Sequence, residues 1–118
     1  MPRAITTEAG RAALATVRAA ETPARTDLAT AVRYLLQLLT EKAPGNTVEV
    51  RIPPFGAVQV VQGPRHTRGT PPNVVETDAA TWIALATGAE TWSAAVASGR
   101  VHASGSRADL ANLLPLNP

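Results

Sequence analysis

The stretch GPRHTRGTPPNVV, Gly63–Val75, sets Arg65, His66 and Arg68 between two glycines and then runs into Pro71-Pro72. An arginine fork matches a carboxylate or a phosphate with two parallel hydrogen bonds, and glycines let a ligand come close to the backbone. His66 adds a contact that titrates near neutral pH. The chemistry these residues offer is anion capture, of a head group or of an acidic patch on a protein partner. The competing reading is a solvated loop whose arginines pair with Glu49, Glu76 or Asp78. In that reading Pro71-Pro72 stiffens the chain so that it enters the next strand extended.

Groupings that would do catalysis are missing elsewhere. The chain has no cysteine, which removes disulfides and thiolate chemistry, and His66 and His102 are its only histidines. A zinc site is therefore unsupported. There is no G-x-S-x-G elbow, no phosphate loop and no H-E-x-x-H. Asp27, Asp78 and Asp109 each fall where a helix is predicted to begin, so they read as caps. The expectation is a non-catalytic protein without metal or cofactor.

Composition sets the frame for these side chains. A chain of 118 residues has room for one core and buries roughly two-thirds of its unfolded surface. Aromatic residues are only 3%, so that core is aliphatic and each of the rings Tyr34, Phe55, Trp82 and Trp92 matters. Net charge is +2, with Arg11, Arg18 and Arg25 spread out and no basic stripe, which argues against nucleic acid as a partner. No apolar run approaches the ~20 residues of a membrane span, and no signal-peptide core opens the chain. Stable membrane insertion is not expected, and a cytoplasmic location is.

The elements follow from periodicity. A helix from Glu8 to Ala20, capped by Thr7, carries only Leu14 and Val17 on one face and should dock weakly. Residues 1–25 thus read as a helical extension, and 26–118 as the main domain. Thr26 or Asp27 should cap a stronger helix over 27–42. Its Leu28, Val32, Leu35, Leu36 and Leu39 share a face, with Arg33, Gln37 and Thr40 on the outer side. The period then becomes two. Strands are predicted at 47–52, with Val48, Val50 and Ile52 inward, at 57–62, with Val58 and Val60 inward, and at 73–77. Asp78 should cap a helix to Thr87 with Gly88 as its stop. A short helix from Thr91 buries Trp92, Ala95 and Val96, and a strand near Arg100–Ser104 places Val101 and Ala103 on one side. Ser106-x-x-Asp109 resembles a capping box opening a last helix. Strands followed by helices favour an α+β fold.

The segment DAATWIALATG, the helix reaching AAVASGRV, and ASGSRADLANLLPL resemble the sterol carrier protein family. The matching features are Asp78, Leu85, Ala86-Thr87-Gly88, Ala95, Gly99-Arg100, Val101, Gly105 and Leu110, preceded by the strand NVVE. The resemblance is closest over Asn73–Leu116, looser over Asp27–Gln62, and absent from the first 25 residues. It implies a small, mostly antiparallel sheet of four to five strands covered on one face by helices. Between the two layers it implies an apolar tunnel that takes up lipids, sterols or acyl chains. The same domain also serves as an accessory piece in larger proteins, including the tail of mycothiol-dependent maleylpyruvate isomerases.

The expected function is binding of an apolar or amphipathic small molecule without transforming it. Val58, Val60, Val75, Trp82, Leu85, Trp92, Leu110, Leu113 and Leu114 would line the cavity, with Arg65, His66 and Arg68 at its mouth. The alternative gives those side chains to a filled core. The chain is then an interaction module that docks an acidic partner through Arg65–Arg68, or an accessory to a thiol-cofactor enzyme.

Overall fold

The computed structural model describes residues 4–63 and 73–118. Helix α1 spans Thr7–Ala19, and its cap is Thr6, whose side-chain oxygen accepts from the Ala9 N–H at 3.1 Å. The predicted cap lies one residue too late. Gly10, Ala13, Leu14 and Val17 are buried, a stripe at offsets of three, four and seven that is wider than the two large residues implied. The helix lies along α2 and contributes to the same hydrophobic core.

Helix α2 spans Arg25–Lys42 and starts at Ala24 without a side-chain cap. Thr26 and Asp27 are therefore inside the first turn and cap nothing, although the Asp27 carboxylate suits the positive end of the helix dipole. Ala31, Val32, Tyr34, Leu35, Leu36 and Leu39 are buried. They cover just over half of the helix circumference because α2 packs against α1, β2 (Gly56–Val60) and α3 (Ala79–Thr87) at once. α2 is the centre of the molecule.

Strands β1 (Val48–Ile52), β2, β3 (Asn73–Thr77) and β4 (Val101–Ser104) form one sheet in the order β2-β1-β3-β4. β1 with β2 and β3 with β4 are antiparallel, but β1 and β3 run parallel. The sheet is mixed rather than mostly antiparallel. The reason is topological: the chain reverses once into β2 and again into β3, so β3 joins the free side of β1 in its direction. Val48, Val50 and Ile52 are fully buried, as the alternation requires, and Glu49, Arg51 and Glu76 share the open face.

Asp78 caps α3 through a 2.8 Å bond from the Thr81 N–H, and Gly88 closes it in the left-handed region at φ 85°. Thr91 caps α4 (Trp92–Ala97). Here Val96 is 40% exposed, against the expectation, and Trp92 is half-buried. So short a helix offers β4 little more than Ala95, and the next position is rotated by about 100°. Ala103 is exposed as well, while Val101 is buried.

The last helix does not form. Asp109 accepts from the Ala111 N–H at 2.8 Å, a local turn, and Leu113 N–H bonds to Leu110 O. With Pro115 only a few residues on, the segment is too short to repay helix nucleation. It is held by tertiary bonds instead: Lys42 Nζ donates to Leu113 O at 2.7 Å, and Leu116 N–H donates to Ala86 O at 2.8 Å.

Candidate functional site

The nine apolar residues assigned to a cavity divide into two groups. Val60, Val75, Trp82, Leu85 and Leu110 are at most 1% exposed and belong to one continuous core. The Trp82 ring is fixed there, its Nε1–H donating to Val32 O at 3.3 Å. Val58, Trp92, Leu113 and Leu114 are only partly buried at its edge. Arg65, His66 and Arg68 lie outside the described residues. Of the carboxylates offered to them, Glu49 and Glu76 face Arg51, at 3.1 and 3.9 Å, and Asp78 caps α3.

A groove of about 650 Å³ opens instead between α2, the β2 edge and the segment before α1. Arg33, Leu36, Gln37, Thr40 and Glu41 come from successive turns of α2. The β1–β2 turn supplies Phe55, β2 supplies Gly56, Ala57 and Val58, and Ala4 and Ile5 close one side. Its volume is within the usual range for small-molecule sites, and its apolar patches with a few polar groups fit that class.

Three interactions build this groove. The Gln37 side chain grips Ile5 at both ends of its peptide, accepting from its N–H and donating to its O, each at 2.9 Å. Arg33 Nε donates to Phe55 O at 2.8 Å, which ties the turn to the helix. The Arg25 guanidinium sits 5.6 Å from the centroid of the Phe55 ring, a cation–π contact.

Of the residues lining this groove, the sequence points only to Val58 as a ligand contact, and for a different cavity. Arg33 and Gln37 fall on the polar side of α2 in a helical projection, and nothing local shows that Ile5 and Phe55 fold over that side. The one available signal was Phe55, a large ring in a chain with few of them.

Two shallower depressions lie near the β3–β4 edge, of about 440 and 390 Å³, and share Glu76 and His102. Their charges are largely matched: Arg51 pairs with Glu49 and Glu76, and Arg100 pairs with Glu90. The hydrogen bond to Glu49 and then its charge hold the Arg51 pKa above the ordinary arginine value, with lesser help from Glu76 and against some desolvation. Among the described residues no three His, Cys, Asp or Glu side chains are grouped to hold a metal ion. None of the helices described is long and apolar enough to cross a membrane.

A family model described as "Bacterial SCP ortholog" matches residues 24–116, most of the chain. The matched span begins just before α2, so the α1 side of the groove, Ala4 and Ile5, lies outside it. No curated protein matched the chain.

Proposed function

We propose that this chain, which belongs to the family of bacterial sterol carrier protein orthologues, binds an apolar or amphipathic small molecule without transforming it, in the groove between α2 and β2. The observation that carries this reading is the groove itself. Leu36, Phe55, Val58 and Ile5 give it apolar surface, and Arg33, Gln37, Thr40 and Glu41 give it polar groups. A lipid-like ligand is the class that uses both. The family supports the same class, by analogy rather than by identity of site. The reading needs no cofactor and no catalytic residue.

The burial of Val60, Val75, Trp82, Leu85 and Leu110 in the core favours a second reading, an accessory module that docks an acidic partner or assists a larger enzyme. The two separate on a single experiment. Protein purified under mild conditions is examined by native mass spectrometry beside a Val58→Trp variant, whose indole fills the groove. A co-purified apolar ligand that is lost in the variant supports the groove. Wild-type protein that carries no ligand, and takes none up from a lipid extract, favours the accessory module.

A further inference from the structure

We infer that the groove takes its ligand in one orientation, an anionic head at the Phe55 end and an apolar stem running along α2 toward Glu41. This rests on the groove being the binding site, and adds which end is which. Among the described residues two cations converge on Phe55 at the groove: Arg33 bonds its carbonyl oxygen and Arg25 covers its ring. Neither makes an ion pair among the described residues, whereas Arg51 and Arg100 both do. Among the described residues the hydrogen bond of Arg33 is the one from its Nε–H to Phe55 O, and its terminal nitrogens suit a bidentate contact with a carboxylate or phosphate.

Glu41 marks the opposite end. It lies two helical turns beyond Arg33, about 12 Å along the α2 axis, and its carboxylate disfavours a second anion there. Leu36 and Val58 lie in the groove between them. An uncharged or cationic amphiphile gains nothing at the Phe55 end, and a dianion with charge at both tips meets Glu41. The chemistry selected is a single anionic head on a stem of medium length.

The test is calorimetric titration of the whole protein at low salt with decanoate, decyl phosphate, decanol and decylamine. The anions are expected to bind about fivefold more tightly than the alcohol, the upper end for a solvent-open ion pair. That margin should narrow as salt is added. Taken as the ratio of anion to decanol affinity within each protein, that margin should shrink in Arg33→Gln and vanish in the Arg25→Gln, Arg33→Gln double variant, whatever either change does to decanol itself. Both arginines are exposed, and circular dichroism checks that the fold is kept. Whichever of carboxylate and phosphate binds more tightly identifies the head. Equal binding of alcohol and anions, or tightest binding of the amine, overturns the orientation and leaves the groove standing. If no amphiphile binds, or if Val58→Trp binds all four as well as wild type, the groove itself fails and the orientation with it.

Discussion

Gly10 of α1 lies directly against the ring of Tyr34 on α2, so close that a Cβ at residue 10 would overlap the ring atoms. Tyr34 is only 2% exposed, and α1 is one of the elements that covers α2. In an ordinary helix Gly→Ala gains about 0.5–1 kcal/mol. Here the added methyl overpacks a tight contact, which typically costs about 1–3 kcal/mol. Gly10→Ala is therefore expected to lower the melting temperature. Pairing it with Tyr34→Leu should remove much of that loss, because the two residues share one contact. A melting temperature raised by Gly10→Ala alone would show that α1 does not dock this way.

Leu35 is fully buried in the core, on the helix that packs against α1, β2 and α3. Leu35→Ala is expected to cost about 2–5 kcal/mol through lost burial and the cavity left behind. That is a large share of a total stability of about 5–15 kcal/mol. Chemical denaturation gives the value directly. A loss well under 1 kcal/mol would put Leu35 at the surface.

Arg51 provides a test of sign. Its pKa is raised by Glu49 and Glu76, so the folded protein holds this proton more tightly than the unfolded chain does. Such a contribution is complete below the unfolded-state pKa and is lost only as pH rises through the folded one. Both lie at strongly alkaline pH. Arg51→Gln should therefore lower stability by the same small amount at neutral and at mildly alkaline pH, and by less in high salt. Melts whose difference from wild type changes between those two pH values would contradict the assignment.

Local signals were legible wherever a local cause decides the structure. The inward run of Val48, Val50 and Ile52 follows from alternation alone, and α3 from Asp78 and Gly88 at its ends. The misreadings have longer-range causes. Ser106-x-x-Asp109 looks like a helix start, but Asp109 bonds two residues on and Pro115 arrives too soon. The parallel pairing of β1 with β3 depends on which side of β1 is free, and no residue in either strand encodes that. Val60, Val75, Trp82, Leu85 and Leu110 read equally well as core or as cavity lining, because both roles ask for the same buried apolar side chains. Gln37 looks solvent-facing until Ile5 bonds over it, and Arg33 stays exposed while its Nε–H reaches Phe55 O.

The position of the site is tested most directly by an amide and indole N–H nuclear magnetic resonance titration with decanol, which carries no head-group charge. Binding in the groove predicts saturable shifts at Ile5, Leu36, Phe55 and Val58. The indole N–H of Trp82, bonded to Val32 O inside the core, should stay where it is. Saturable shifts centred on Trp82, Val75 and Leu110, with the groove signals unmoved, would place the ligand between sheet and helices and contradict the account.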